Sequence, residues 1–364
     1  MLTVSLIAAI ASFFITPPSA ELIKGIDWKT LATLFMLLAV LEGFKHESLF
    51  LPVIRLSGKI KTSVGLSFFL VFGVFFSSMF VTNDVSLIIF VPLTILLFRA
   101  GDKEKYVLSV IVMENIAAVR GSLLTPFGSP QNLFLFSKSG LSALDFMLMM
   151  LPLWVGSAIL LSVFILFLYR KDLRSRIEVK GYENESFDKT GRLKRIVYLS
   201  LFVTVIACIV TRTAYWPYVT LFVAAALLIF DRGVFKRVDY VLLITFLCFF
   251  VFSHSIASNP TVSGFLKSTV SEHEYLWSIG LSQIISNVPA SIVLWPFTEN
   301  LRALIYGLDS AGLVFIIGSL ASVIAMRLYL REYPGKGKSF FIEFEKISLI
   351  FFAIVVYPQY LLCR

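Results

Sequence analysis

The stretch Gly121-Ser122-Leu123-Leu124-Thr125-Pro126-Phe127-Gly128-Ser129-Pro130-Gln131-Asn132 decides how this chain is read. It lies inside an apolar region, residues 106–136, roughly half as long again as the ~20 residues a membrane helix needs. Pro126 and Pro130 lack a backbone N–H and clash with the preceding turn. Gly121 and Gly128 admit backbone angles that other residues resist. A regular helix therefore does not continue through this sequence. The N–H and C=O groups it frees cannot face lipid, so they are buried in protein or line a wet cavity. Irregular backbone at membrane depth is how secondary transporters grip substrate and coupling ion. Taken alone, the stretch fits a surface loop after a helix ending near Leu124 equally well.

Composition settles the solvent. Of 364 residues 58% are hydrophobic and 15% charged, and the mean hydropathy is +0.87. A soluble domain is about 45–50% apolar and about 25% charged, so a soluble protein is excluded. The length suits a polytopic bundle of about ten spans in a lipid bilayer. The net charge of +9 is spread over short loops between apolar runs, where it orients a membrane protein and does not indicate nucleic acid. Cys208, Cys248 and Cys363 have neither metal nor disulfide spacing. His46, His254 and His273 form no ligand pair, so no tightly bound cofactor is expected. Residues 2–15 end at Pro17-Pro18-Ser19-Ala20, which mimics a cleavage site. A signal peptide carries a basic n-region, whereas Met1 leads directly into apolar residues, so a retained first span is expected.

Spans follow at 28–44, 63–81, 85–98, 146–169, 196–210, 218–230, 240–256 and 347–362, with the broken segment 106–136 among them. Residues 47–61 read as an amphipathic interfacial segment. Residues 257–274 read as a polar stretch, and a span at 311–329 is interrupted at Gly318-Ser319-Leu320-Ala321-Ser322. Five loops rich in Lys and Arg, at 45–61, 99–105, 170–195, 232–237 and 331–346, belong in the cytoplasm by the positive-inside rule. The runs 275–285 and 290–297 flank Ser286-Asn287-Val288-Pro289. Each is too short to cross ~30 Å of hydrocarbon at about 1.5 Å per residue, which makes this pair a re-entrant hairpin. The pair around Thr82-Asn83-Asp84 is long enough to be either re-entrant or fully spanning.

The same order of features occurs twice. Ile26-Asp27-Trp28 matches Val238-Asp239-Tyr240, Thr82-Asn83-Asp84 with Pro92 matches Ser286-Asn287-Val288 with Pro296, and Gly128-Ser129 matches Gly318-Ser319. The charge rule starts Asp27 outside and Asp239 inside, which makes the repeat inverted, as in secondary transporters. The expected fold is thus an all-α polytopic membrane protein. It has two inverted-topology repeats, each with a re-entrant helical hairpin and a broken transmembrane helix. The layout is a first span and loop (1–26), a first repeat (27–169), a cytoplasmic linker (170–195), connecting spans (196–237) and a second repeat (238–364).

Two tips and two breaks can meet at mid-membrane. Their oxygens suit a small cation, and the helix N-termini after each tip suit an anion. Thr82, Asn83, Ser286 and Asn287 are the leading site residues. Thr125, Gly128, Ser129, Asn132, Gly318, Ser319 and Ser322 come next. In surface turns the same Asn and Ser residues would simply cap helices. Asp84 could bind a cation, carry a proton or cap the helix after it. Glu114 and Arg120 lie within an apolar segment, where charge is costly and is functional or paired. Arg120 is therefore a candidate anion contact, with snorkelling or pairing as the bland reading.

These residues carry a family resemblance. Thr82-Asn83-Asp84-Val85 followed by Pro92, Thr125 to Asn132, Ser286 to Pro289 and Gly318 to Ala321 resemble the repeated motifs of the ion transporter superfamily. That group contains citrate-transporter-like permeases, divalent-anion/Na⁺ symporters and arsenite permeases. The resemblance runs from Asp27 to the last span. It implies a transport domain moving against a scaffold, a homodimer, a small-anion substrate and Na⁺ or H⁺ as coupling ion, with sodium near Asn83, Gly128, Asn287 and Gly318. In the dicarboxylate branch each tip reads Ser-Asn-Thr. Here Asn83 and Asn287 carry over and the tip Thr does not, while the Gly-Ser-Leu-Ala break is closer to the arsenite permeases.

The sequence is accordingly read as an ion-coupled carrier of a small carboxylate or inorganic oxyanion in the cytoplasmic membrane, and not as an enzyme. Arsenite permeation and sodium/proton antiport through Asp84 are the alternatives within the class. An intramembrane enzyme would have to use Ser253-His254-Ser255, whose neighbours on a helix do not face one another.

Overall fold

The computed structural model describes residues 2–17, 20–47, 60–173, 175–177 and 189–363. Most of the expected interfacial segment 47–61 and part of the linker 170–195 lie outside the described residues. The described residues form seventeen α-helices joined by short 3₁₀ turns. The sole β pairing among them is an isolated bridge between Thr62 and Arg176.

The chain opens with α1 (Leu2–Ile15), α2 (Ala20–Gly25) and α3 (Trp28–His46). A pair of long helices follows, α4 (Ser63–Val81) and α5 (Asn83–Ala100). Next come α6 (Val107–Gly121), α7 (Pro130–Ser139) and α8 (Ala143–Leu168). After the linker, α9 (Lys189–Thr211), α10 (Trp216–Phe230), α11 (Tyr240–Ser258) and α12 (Pro260–Val270) lead to a shorter pair, α13 (Glu274–Ile285) and α14 (Asn287–Leu294). The chain closes with α15 (Leu301–Ala311), α16 (Leu320–Glu332) and α17 (Gly337–Cys363).

Six helical stretches are long and apolar enough to cross a membrane, and this is a multi-pass membrane protein. Their burial separates interior from periphery. In the most apolar 18-residue window of Glu104–Leu124, which contains α6, 94% of residues are buried, whereas in that of α8 22% are, and α8 presents its apolar surface outward. An apolar helix buried all round belongs at the centre of a bundle, so α6 is the axis of the first half.

Local chemistry fixes the ends of these helices. Asp27 caps α3, its Oδ1 accepting the Thr30 N–H at 3.0 Å. Asp239 caps α11 in the same way, accepting the Leu242 N–H at 3.0 Å. The two caps share one backbone conformation, φ −81°, ψ 79° and φ −76°, ψ 81°. The matched order of features extends beyond the caps. Each of these helices is preceded by a short apolar helix, α1 or α10, and each half ends in a long one, α8 of 26 residues or α17 of 27.

The halves are packed through one another. Within each half, α4 lies on α6 and α13 lies on α15. Between halves, α5 packs on α16 and α14 packs on α7, while α1 packs on α11 and α10 on α3. The hairpin helix of each half therefore rests on the broken helix of the other.

Three segments differ from the sequence expectation. The helix expected to begin at 311 instead ends at Ala311, and the interruption separates α15 from α16. Arg302, Gly307 and Asp309 lower the hydropathy of 301–311 and hid this helix, but its charges are compatible with helix once the core supplies partners. Residues 260–270 of the expected polar stretch are helical, with Pro260 in the first turn and Asn259 capping it. Pro130 starts α7 and does not interrupt it, because a proline at the first helical position loses no hydrogen bond.

Candidate functional site

The two tips have the same unusual backbone. Thr82 adopts φ 70°, ψ 160° and Ser286 adopts φ 70°, ψ 157°. Side chains other than glycine avoid this region at a cost of about 1–3 kcal/mol each, and a β-branched Thr is disfavoured there most. Each strained residue immediately precedes a helix, α5 or α14, and neither places its hydroxyl on that helix's N–H groups. Both are buried, as are Asn83 and Asn287 behind them. A buried helix start without a side-chain cap leaves polar N–H groups that want a partner. Together with the positive end of the helix dipole, these make an anion-binding element.

The breaks supply the remaining walls. After α6 the chain makes a 3₁₀ turn (Ser122–Leu124) and then runs extended at Thr125. The Thr125 hydroxyl donates to the carbonyl of Met79, tying the loop to the end of α4. Gly128 is held so close that a Cβ there would come within 2.1 Å of the Ser122 carbonyl oxygen. Ser129 then caps α7, its Oγ accepting the Asn132 N–H at 3.3 Å. The Asn132 side chain donates back to the carbonyl of Leu123 at 3.3 Å. At the second break a Cβ on Gly318 would come within 2.3 Å of the Ala311 carbonyl oxygen. Ser319 precedes α16 without a side-chain cap bond. Both glycines therefore let the chain fold back on its own carbonyls, which no larger residue permits without movement.

Tips and breaks converge on a cavity of about 20 Å³ lined by Thr82, Asn83, Asp84, Asn287, Ser319 and Gln131, with Pro130, Leu242, Val288, Leu320 and Ala321 completing it. That volume holds about one water molecule or bare cation. The Oδ1 of Asn83 has no hydrogen-bond partner among the described residues. Asn287 makes two long bonds, its Nδ2 donating to the Leu308 carbonyl at 3.5 Å and its Oδ1 accepting from the Ser286 hydroxyl at 3.4 Å.

Of the residues singled out from sequence, Thr82, Asn83, Asp84, Asn287 and Ser319 border the cavity. Ser286 sits at its tip, buried. Thr125, Gly128, Ser129, Asn132 and Gly318 shape the breaks around it. Ser322 lies deeper, where its hydroxyl accepts from Asn115 Nδ2 at 3.1 Å. Arg120 is fully buried, and none of its three guanidinium nitrogens has a hydrogen-bond partner among the described residues. Its Cζ lies 5.9 Å from the centre of the Phe351 ring on α17, so it does not snorkel. Glu114 accepts a bond from the Thr94 hydroxyl and is not its partner.

Two residues escaped the sequence reading. Gln131 borders the cavity, and its Nε2 donates to Asp309 Oδ1 at 3.3 Å. Asp309 is 1% exposed, and its Oδ2 has no hydrogen-bond partner among the described residues. The signal for Gln131 was its place directly after Gly-Ser-Pro. Asp309 had none, because its helix was not recognised. The Ser253-His254-Ser255 cluster does not assemble a nucleophile and base. Ser253 Oγ donates to the Ile292 carbonyl and Ser255 Oγ to the Ser12 carbonyl, each at 2.8 Å.

The chain resembles known proteins over most of its length. Residues 1–328 match the family model described as citrate transporter. The chain is 32% identical over 324 residues to the inner membrane protein YbiR of Escherichia coli, covering 87% of this chain and 84% of that protein. It is 30% identical over 311 residues to the uncharacterized transporter MJ0456 of Methanocaldococcus jannaschii, covering 85% of this chain and 83% of that protein.

Proposed function

We propose that this chain, which belongs to the citrate transporter family, is a secondary active transporter that moves a small carboxylate or inorganic oxyanion across the cytoplasmic membrane, driven by a coupling cation. The observation that carries this reading is the pair of strained, buried tips whose uncapped helix starts face one small polar cavity. Helix N-termini attract negative charge, and the oxygens of Asn83 and Asp84 and the carbonyls of the breaks suit a hard cation. The coupling cation is Na⁺ or H⁺, and the neighbourhood of Asn83, Gly128, Asn287 and Gly318 is where a sodium ion would sit.

The cavity is far smaller than the ~300 Å³ of an ordinary small-molecule pocket. Transport therefore requires the tips to part from the breaks, which is a movement of packed helices and not of side chains alone. The matched elements of residues 27–169 and 238–364 are read as an inverted repeat around this point. The two hairpins and two broken helices form the moving part, and a homodimer supplies a fixed frame.

The test is thermal stabilisation of the purified protein by citrate, succinate, sulfate, phosphate and arsenite, each with and without Na⁺. A ligand that binds only the folded state raises its melting temperature by mass action. Stabilisation by one anion is the expected result. If Na⁺ or pH alone shifts the melting temperature and no anion does, the reading gives way to cation/proton antiport through Asp84, whose side chain borders the cavity.

A further inference from the structure

The core holds two opposite charges that neither family membership nor the cavity lining explains. Arg120 lies in the last turn of α6 and Asp309 in the last turn of α15, each beside a break. Both are almost completely buried, and each retains unbonded polar atoms. Their charges act on one another through the core.

The two sites are not electrostatically alike. A helix C-terminus carries partial negative charge, which favours Arg120 where it stands and disfavours Asp309. Arginine is not deprotonated in proteins, so the positive charge of Arg120 is permanent. Asp309 supplies the negative charge that a buried cation requires. Asp309 in turn depends on Arg120 and on Gln131, and Gln131 borders the cavity. One side chain therefore separates Asp309 from any occupant of the cavity.

Charge bookkeeping then decides the coupling. With the cavity empty, Arg120 and Asp309 balance. An anion entering beside them leaves one uncompensated negative charge in a low-dielectric core. A proton on Asp309 removes it, and the permanent charge of Arg120 is then left to offset the anion. We propose that Asp309 is the proton-coupling residue of this transporter: it takes up a proton as the anion binds and gives it up as the anion leaves. The step forms one O–H bond on the free Oδ2 from a solvent proton and breaks no bond within the protein. Gln131 donates to Oδ1 in both states.

The surroundings of Asp309 limit what else could titrate with it. On α6 the facing charge is Arg120 and on its own helix it is the Tyr306 phenol, while the Tyr275 phenol of α13 faces Arg120. From α17, Gln359 bonds Ser310 next door and carries no charge. Helix α14 contains no titratable residue, and the single charge of α7, Lys138, pairs with Asp27 at 2.9 Å. Two further acids lie nearby. Glu114 is held by Thr94, with no ion pair among the described residues, and does not border the cavity. Asp84 borders the cavity itself and is the rival site for any proton taken up.

The inference rests on the anion-transport reading, and its test separates the two. Citrate, succinate, sulfate and phosphate are added to the purified full-length protein in weakly buffered detergent solution containing a pH indicator. Binding is followed in parallel by melting temperature. Reciprocal linkage predicts uptake of about one proton per anion bound by the wild type. Asp309→Asn, which mimics the protonated acid, should bind the same anion with an affinity independent of pH and take up none. The difference between the two proteins cancels any proton carried by the anion itself. In proteoliposomes this variant should exchange anion across the membrane and fail to accumulate it when a pH gradient is imposed.

If no anion binds, the transport reading falls, and this inference with it. Anion binding by the wild type without proton uptake overturns the inference alone. So does uptake that persists in Asp309→Asn, or that vanishes in Glu114→Gln or Asp84→Asn. If Asp309→Asn does not fold, the wild-type measurement still decides, and Asp309→Glu, which keeps the titrating group, should retain the uptake.

Discussion

The two hairpin tips have the same backbone and different chemistry. Thr82 and Ser286 agree within a few degrees at φ 70°, yet the residue two positions on is Asp84 in one and Val288 in the other. Their arms also differ, with 19 and 18 residues around the first tip and 12 and 8 around the second. Arm length and side chains differ between the two tips, while the strained turn that uncaps each following helix is the same. The common requirement is therefore the presentation of helix N–H groups at one point. The asymmetry places a carboxylate on only one side of the cavity.

The sharpest way to break this equivalence is to remove the tip amides one at a time. Asn83→Ala and Asn287→Ala should each lower coupled uptake by at least about 100-fold, the scale of losing a positioned group, with expression intact. Loss in only one variant would mean that the second tip is scaffolding. Normal uptake in both would remove the site from this part of the molecule.

A smaller effect tests the strain itself. Glycine adopts positive φ without penalty, so Thr82→Gly and Ser286→Gly should each raise thermal stability, by about 1 kcal/mol after the glycine entropy cost is subtracted. The gain should be larger at Thr82, whose Cβ is branched. Destabilisation at both sites would show that the hydroxyls hold the tips more strongly than the backbone resists them.

The smallest effect compares the two helix caps. Asp27 is half-buried beside Lys138, and Asp239 is exposed. Burial pushes the Asp27 carboxyl up, but the Thr30 N–H, Lys138 and the Thr30 hydroxyl outweigh it and hold it below the usual carboxylate range. A depressed folded-state value means that the stabilisation is present above the unfolded value of about 3.9 and is lost as pH falls through the folded one. Asn also caps helices well. Asp27→Asn should therefore cost about 1 kcal/mol near neutral pH, and the gap to wild type should close on acidification. Asp239→Asn should cost less. Melting curves across pH would show equal costs if the two caps were interchangeable.

How far this was legible in sequence follows from the kind of signal each element carries. The tips could be read because Asn and a hydroxyl between apolar runs have no other use at that depth. The breaks could be read because glycine and proline disrupt a helix locally. The positive φ of Thr82 and Ser286 left no trace, since neither residue type favours it. Asp309 and its helix were lost because Arg302, Gly307 and Asp309 break the apolar pattern, and their partners Arg120 and Gln131 lie far away in the chain. The role of Gly128 was anticipated as conformational freedom, and Gly318 was read only as part of an interruption. The structure assigns them close approach to a carbonyl.

The crossed packing of the halves has a consequence for how the protein is made. A chain inserted from its N-terminus delivers α5 and α7 before the helices that cover them, α16 and α14, exist. Until synthesis is nearly finished, two polar-edged surfaces and an uncapped tip stand without their cover inside the membrane. Such a half-built chain is a substrate for membrane insertases and quality-control proteases. The waiting time of the first half, set by translation and not by the finished fold, then governs how much protein survives to work.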